Sequence, residues 1–201
     1  MNIHQKPYHY LITQQEEQTL EKIISELSDE YIISFDNEST FDFKTFETFQ
    51  HYSDIKTLSS INVNSQFQIL IINIEHHFIG GRHGDSHHNE NQILGFKKLE
   101  QDYGRILIRE ENVFDKILEI FNKTEIDFKE DKEFSDRFFV LADNENYAKK
   151  FLNNQNRKAL KTIAKSENFE IEISNNKLII RNKKPINNFT FYQILDFLKL
   201  S

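Results

Sequence analysis

The sequence predicts an α+β fold in which antiparallel β-hairpins are interleaved with about four amphipathic helices. Segments with helical spacing of apolar residues are separated by stretches that alternate apolar and polar residues. These stretches lack the strand–helix–strand rhythm of a parallel sheet, which favours antiparallel pairing. The 201 residues are enough to bury a core of ordinary size.

The N-terminal part of the chain predicts a helix over residues 14–27. Thr13 and Glu16 have the spacing of a capping box, in which each side chain accepts a hydrogen bond from the other residue's backbone N–H. The apolar residues that follow share one helical face: Leu20, Ile23, Ile24 and Leu27. Residues 31–35 then predict a short strand.

An aromatic stretch follows at residues 41–52. The spacing of its rings changes from two residues to three, so periodicity alone does not separate strand from helix; the rings are Phe41, Phe43, Phe46, Phe49 and Tyr52. Lys44 is the only basic residue among them, whereas platforms that stack on nucleic acid pair their rings with cations. Burial in the core is therefore favoured over ligand stacking.

A hairpin is predicted in the middle of the chain, with strands over residues 66–78 and 91–99. Its tip is the stretch FIGGRHGDSHHNENQ at residues 78–92, preceded by His76 and His77. Because neighbouring side chains on a strand point to opposite faces, at most one of these two can join the histidines of the tip. We expect His83, His87 and His88 to be exposed and mobile.

The second half of the chain alternates extended and helical segments. Short strands are predicted over residues 105–109 and 138–141, with a helix over about 110–122 between them. Apolar pairs then recur every four residues, or a multiple of four, from Tyr147 to Ala164, which predicts one long helix capped by Asp143 or Asn144. Residues 169–173 and 178–181 form a hairpin around Asn175 and Asn176, and residues 189–200 form a final helix.

The domain organisation that follows is a single domain over residues 1–201, or two tightly packed halves of about 1–104 and 105–201. A helix followed by strands occurs in each half, but no residue-level repeat is present.

Composition excludes several classes of protein. The chain contains no cysteine, so disulfides, thiolate zinc sites and cysteine nucleophiles are ruled out. The N-terminal residues lack the basic and apolar regions of a signal peptide, and no apolar run approaches the roughly 20 residues that span a bilayer. We therefore expect a soluble cytoplasmic protein without a transmembrane segment.

The charge of the chain is unevenly distributed. The net charge is −7, yet residues 149–184 contain ten Lys or Arg and three Glu. The overall acidity makes nucleic acid an unlikely partner on electrostatic grounds. The basic segment predicts a solvated helix face and a Lys-rich hairpin; alternatively, it attracts an acidic partner or a second copy of the chain.

The histidine-rich tip is the one concentrated set of metal-capable groups. Neutral imidazole is a common ligand of zinc, nickel and copper, and Asp85 can complete a shell with His83, His87 and His88. The order of these residues differs from the H-x-H-x-D-H signature of metallo-β-lactamases. The three nearby glycines make organising such a site costly, so a solvated loop is the favoured interpretation and zinc or another divalent metal the alternative.

No enzyme motif is present. The sequence has no G-x-S-x-G elbow, no Walker loop, no dinucleotide fingerprint and no H-E-x-x-H pair. The 32 carboxylates form only scattered pairs, which are typical of a solvated surface. The sequence therefore indicates no catalytic residue and no cofactor.

Residues 106–149 resemble an uncharacterised family of bacterial proteins, a domain of unknown function, some of whose members are membrane-associated. The family pattern runs F-x-L-x-P-E, then D-I-D-F, then P-E-F-S-x-x-Y-x-L-x-G-x-D-E. The corresponding stretches here are ILIREE at 106–111, EIDF at 125–128 and KEFSDRFFVLADNE at 132–145. Glu110 and Lys132 replace the family's prolines, Phe138 its tyrosine and Ala142 its glycine.

The resemblance implies architecture rather than chemistry. It implies a hairpin with a polar tip before residue 106, with Phe128 and Phe134 as packing anchors and Ser135 and Asp136 as turn or capping groups. Glu133 and Arg137 have the i, i+4 spacing of an ion pair.

The sequence is therefore consistent with two functions. The first is a non-catalytic bacterial interaction domain that binds a protein partner or itself. The alternative is a divalent metal-binding protein that uses the loop at residues 76–88. A pH-responsive surface built on the clustered histidines is a further hypothesis.

Overall fold

A computed structural model describes residues 11–35, 41–78, 86–110, 124–163, 165 and 167–200. The strands within them are β1 (Ile33–Phe35), β2 (Asp54–Val63), β3 (Phe67–Phe78), β4 (Ser86–Lys98), β5 (Arg105–Glu110), β6 (Thr124–Glu125), β7 (Phe138–Ala142), β8 (Phe169–Ser174) and β9 (Lys177–Asn182). The helices are α1 (Gln14–Glu30), α2 (Lys132–Ser135), α3 (Glu145–Phe151), α4 (Asn154–Thr162) and α5 (Asn188–Leu200).

The strands form one antiparallel sheet in the order β1-β2-β3-β4-β9-β8-β5-β7-β6, which confirms the α+β class. The chain divides into two compact units. Unit 1 comprises residues 1–94 and 184–192, and unit 2 comprises residues 95–183 and 193–201. Strand β4 and helix α5 each contribute residues to both units.

Unit 1 is organised around α1 and the β2–β3 hairpin. The capping box is confirmed, since Thr13 N donates to Glu16 Oε2 at 2.9 Å and Glu16 N donates to Thr13 Oγ1 at 3.3 Å. The apolar face of α1 is buried through Leu20, Ile23 and Leu27. β2 and β3 are joined by three residues, Asn64, Ser65 and Gln66, and the first two have positive φ angles of 49° and 56° that reverse the chain.

Unit 2 contains the most thoroughly buried strand, β8, in which every residue from Phe169 to Ser174 is buried. The predicted hairpin with β9 is confirmed, and Asn175 has a φ of 59° at the turn. On β4, a Cβ at Gly95 would lie 2.5 Å from Ile194 Cγ2 of α5, so only glycine fits there. Phe128 and Phe134 are buried as expected, and Ser135 Oγ accepts a hydrogen bond from Phe128 N at 2.9 Å.

The structure corrects three expectations. Strand β2 was not predicted, because Ser59 and Ser60 interrupt its apolar pattern and a bulge lies between Thr57 and Ser59. The long helix after Asn144 is two helices, since Asn153 caps α4 by accepting hydrogen bonds from Gln155 N and Asn156 N. Arg137 pairs with Glu110 rather than with Glu133.

The predicted helix over residues 110–122 lies outside the described residues, apart from Glu110, which ends β5. The other predicted strands and the final helix are confirmed, and most of their ends lie within one or two residues of the predicted positions. Strand β4 begins earlier than expected, at Ser86. Across the described part of the chain, no helix has both the length and the apolar character needed to cross a bilayer.

Candidate functional site

The candidate site begins where the chain leaves β1 and turns twice before β2. Two 3₁₀ turns, Phe43–Thr45 and Glu47–Phe49, form this segment. Asp42 holds the first, because its Oδ1 accepts from Lys44 N at 3.2 Å and its Oδ2 accepts from Thr45 Oγ1 at 3.0 Å. Two tight turns in succession bring the aromatic side chains of this short segment into contact.

These aromatic side chains form a continuous series of ring contacts. Phe41 lies 4.9 Å from Phe43 and 5.9 Å from Phe46, and Phe43 lies 5.2 Å from Phe49, measured between ring centroids. Phe49 continues to Tyr52 at 6.3 Å. Phe46 and Phe49 are buried, as the sequence predicted, whereas Phe41, Phe43 and Tyr52 are only half-buried.

A cleft of about 460 Å³ opens between this segment and the first residues of β2. Four rings line it, from Phe41, Phe43, Phe49 and Tyr52. The charged groups of its lining are Asp42, Lys44 and Asp54. We refer to this space as the aromatic cleft. Its volume lies toward the lower end of the range for small-ligand pockets.

The aromatic cleft belongs to the acidic part of the molecule. Unit 1 contains 6 Lys or Arg and 14 Asp or Glu, a net charge of −8, whereas unit 2 contains 19 and 18, a net charge of +1. At the cleft, Asp54 pairs with Lys56 at 2.9 Å on the exposed start of β2. A positively charged group approaching unit 1 is therefore attracted by an excess of carboxylates.

Histidines surround the Tyr52 side of the aromatic cleft. The ring of His51 lies 4.2 Å from that of Tyr52, and the ring of His76 meets Tyr52 edge-on at 5.1 Å. His76 on β3 also lies 6.3 Å from His88 on β4, between ring centroids, and its Nε2 lies 3.9 Å from Glu90 Oε2. Imidazoles thus stand next to one wall of the cleft.

Of the predicted metal ligands, the structure describes one side chain. His88 lies on β4 and is exposed, as expected. His83 and Asp85 lie outside the described residues, as does the side chain of His87, whose backbone belongs to β4. Within the described part of the chain, no three His, Asp or Glu side chains stand close enough together to hold a metal ion.

Unit 2 has charged groups of a different kind, buried in its sheet. Glu170 on β8 lies opposite Arg109 of β5 and Arg181 of β9, and pairs with both. Arg181 donates to Glu170 Oε2 from Nη2 at 2.8 Å and from Nε at 3.0 Å, while Arg109 Nη2 contacts Oε1. The Arg181 side chain is fully buried. These three residues form the buried ion network.

A second set of ions ties α4 to α2. Asp131 accepts from Arg157 Nε at 3.0 Å and from Lys161 Nζ at 3.0 Å, and it caps α2 through Phe134 N. Burial raises the pKa of Asp131, but hydrogen bonds from Lys161, Arg157 and Phe134 N outweigh it and hold that pKa below its usual value. Arg157 and Lys161 belong to the basic stretch at residues 149–184, so part of its charge is paired within unit 2.

Sequence reasoning identified the rings of the aromatic cleft but not the cleft itself. Tyr52 and His76 are 24 positions apart, and their contact depends on the pairing of β2 with β3, in which Asp54 lies opposite Glu75. Because β2 was not predicted, no pattern placed these residues side by side. The alternation of Phe41, Asp42, Phe43 and Lys44 was the one local signal that rings and charges share a surface.

Comparison with known proteins finds no match: no family model, no curated protein and no solved structure matches this chain. The resemblance of residues 106–149 to an uncharacterised bacterial family therefore stays a prediction.

Proposed function

We propose that this protein is a non-catalytic interaction domain whose acidic unit 1 binds a basic protein partner. The observation that carries the proposal is the aromatic cleft, which is lined by four rings, three of them half-exposed, in a unit with a net charge of −8. Aromatic side chains in well-packed pockets supply much of the binding energy at protein interfaces. Complementary charge adds speed and selectivity of association.

The titratable groups of unit 2 support a binding role over a catalytic one. A catalytic acid commonly has a raised carboxyl pKa, produced by burial or by a neighbouring like charge. The pKa of Asp131 is lowered by its cationic partners, and that of Glu145 is lowered by a hydrogen bond from Lys149. Such pairing keeps a carboxylate in its charged form rather than in the protonated form that a catalytic acid needs.

The proposal is tested by affinity capture from cells of the source organism, with partners identified by mass spectrometry. The test variant neutralises three exposed acids of α1, and the matched control neutralises three exposed acids of unit 2. The test changes are Glu21→Gln, Asp29→Asn and Glu30→Gln; the control changes are Glu125→Gln, Asp127→Asn and Asp136→Asn. Both variants gain the same three units of charge.

We expect a partner with a basic isoelectric point, lost from the α1 variant and retained by the control. Binding should weaken steeply as salt rises, because the attraction between exposed charges is screened. A partner that both variants bind equally well, or an acidic partner, would contradict the assignment to unit 1. Sedimentation of the purified protein shows whether a second copy is the partner instead.

A divalent metal-binding function that uses the loop at residues 76–88 is the second candidate, favoured by the closeness of the His76 and His88 rings. Imidazole is a ligand that zinc, nickel and copper accept. Calorimetry with zinc, nickel and manganese separates this candidate from the first. Wild-type protein should bind more tightly than variants lacking His76 and His88, or His83, His87 and His88; equal weak binding by all three proteins would end this candidate.

A further inference from the structure

We infer that the aromatic cleft accepts an arginine side chain of the basic partner. This inference rests on the proposed function and names the group that unit 1 recognises. The first observation is the exposure of the rings: Phe41, Phe43 and Tyr52 are half-buried although Phe46 and Phe49 next to them are buried. The rings at the cleft therefore keep surface that a flat, weakly hydrated cation can cover.

Carboxylates accompany the rings. Asp42 and Asp54 line the aromatic cleft, and Ser53 between Tyr52 and Asp54 donates to the backbone carbonyl of Glu75 at 2.8 Å, which keeps that acidic residue nearby. Among the described residues of the lining Lys44 is the one cation, and Lys56 pairs with Asp54 at 2.9 Å. A guanidinium in the cleft can stack on a ring while its N–H groups donate to a carboxylate.

The same combination of ring and carboxylate already binds arginine twice in unit 2. Arg137 lies 4.6 Å from the ring centroid of Phe138 while it donates to Glu110. Arg157 lies 4.9 Å from the ring centroid of Phe128 while it donates to Asp131. Unit 2 supplies both the rings and the arginines for these contacts.

None of the described residues of unit 1 is an arginine. A partner's arginine would complete at the aromatic cleft the arrangement that unit 2 completes internally. Lysine is the weaker candidate, because its ammonium is strongly hydrated and cannot lie flat on a ring. An uncharged group of the same shape lacks the attraction to the ring face and to the carboxylates.

The test is an NMR titration of the ¹⁵N-labelled full chain with three small probes. These are the N-acetyl amides of arginine, of lysine and of citrulline, which has the shape of arginine without its charge. We expect the arginine probe to shift the backbone amides of Lys44, Tyr52 and Asp54 and to bind about threefold or more tightly than the lysine probe. The citrulline probe should cause no shift at these amides.

Two variants assign the binding to the aromatic cleft. Asp54→Asn on the exposed start of β2 removes a charge with little risk to folding, and we expect it to weaken arginine binding about threefold. Lys44→Gln removes the opposing cation and should strengthen binding. Equal affinity for arginine and citrulline, or shifts that avoid these three amides, would overturn the inference.

The same titration distinguishes the inference from the function on which it rests. If the basic partner is captured through α1 but the arginine probe leaves the cleft amides unmoved, the inference fails and the proposed function stands. If no basic partner is captured, the proposed function fails. Shifts of the cleft amides that depend on protein concentration without any probe would identify a second copy as the occupant and overturn the assignment to a different protein.

Discussion

The two units of this protein satisfy their carboxylates in different ways. In unit 2 the carboxylates of Glu170, Asp131 and Glu110 pair with arginine or lysine side chains. In unit 1 neutral groups donate to two of the acids: Glu16 accepts from Thr13 and from Asn91 Nδ2, and Glu26 accepts from the Tyr192 hydroxyl in addition to its exposed pair with Lys22.

This difference explains how one chain can be neutral in one unit and strongly acidic in the other. A neutral donor satisfies a carboxylate without cancelling its charge, so the charge stays available to a partner. An ion pair cancels the charge of its carboxylate, so the surface around it has little net electrostatic potential. The charges of unit 2 thus make contacts within the fold, and we propose that those of unit 1 attract a basic partner.

The largest expected effect comes from breaking the buried ion network of unit 2. Glu170→Gln leaves Arg109 and Arg181 buried without their carboxylate, and removing one partner of a buried pair typically costs about 3–5 kcal/mol. We expect a loss of that order in the free energy of unfolding, measured by hydrogen exchange at the β8 amides. Lys149→Gln, which removes an exposed pair with Glu145, is the control and should cause no measurable change.

A triple variant sharpens the same prediction. Replacing Arg109, Glu170 and Arg181 together by Met, Leu and Met removes all three charges and keeps most of the volume. Apolar replacement of a whole buried ionic set is often neutral or stabilising, so this variant should be more stable than Glu170→Gln. A triple variant less stable than the single one would show that the network contributes net stability.

A smaller effect is expected at acid pH from Asp131. Because its pKa is lowered on folding, its contribution to stability is present above the unfolded pKa of about 3.9 and is lost as the pH falls through the lower folded value. Asp131→Asn should reduce the stability of unit 2 by about 1–2 kcal/mol at neutral pH. It should also flatten the decline of that stability below pH 4, measured by urea unfolding from pH 6 to pH 2.

The outcome that contradicts this prediction is an unchanged acid profile in the variant. That result would mean that Arg157 and Lys161 hold α4 to α2 through other groups. Asp136→Asn is a suitable control, because this exposed residue lies in the same turn and makes no side-chain ion pair among the described residues.

Local signals in the sequence were sufficient to predict some of the helix starts and turns in both units. The Thr13–Glu16 spacing predicted the start of α1, and the Asn175–Asn176 pair predicted the β8–β9 turn, because caps and turns depend on residues a few positions apart. The break between α3 and α4 was not predicted, because the local pattern is misleading there. The apolar pairs continue across Asn153 at helical spacing, and only its side-chain capping bonds reveal a second start.

The candidate site depends on contacts between distant residues, which a single sequence does not encode in a readable pattern. Glu170 sits in a strand whose alternation predicts one exposed face, yet both faces of β8 are buried and Glu170 pairs with arginines on β5 and β9. Likewise, the half-burial of Tyr52 follows from the approach of His76 on β3. Neither the partners of Glu170 nor the half-burial of Tyr52 can be inferred before the strand pairing is known.

The smallest expected effect tests the neutral donors of unit 1. Burial, together with the hydrogen bond to Glu26 and the charges of Glu26 and Glu30, raises the pKa of Tyr192 to about 12. Its contribution to stability is therefore present below the unfolded pKa of about 10 and is lost as the pH rises toward 12. Phenolate absorbance should show a tyrosine that ionises near pH 12, and Tyr192→Phe should remove that phase at a cost below about 1 kcal/mol at neutral pH. If Tyr192→Phe leaves the absorbance change near pH 12 unaltered, Glu26 does not depend on a neutral donor, and the contrast between the units rests on Glu16 alone.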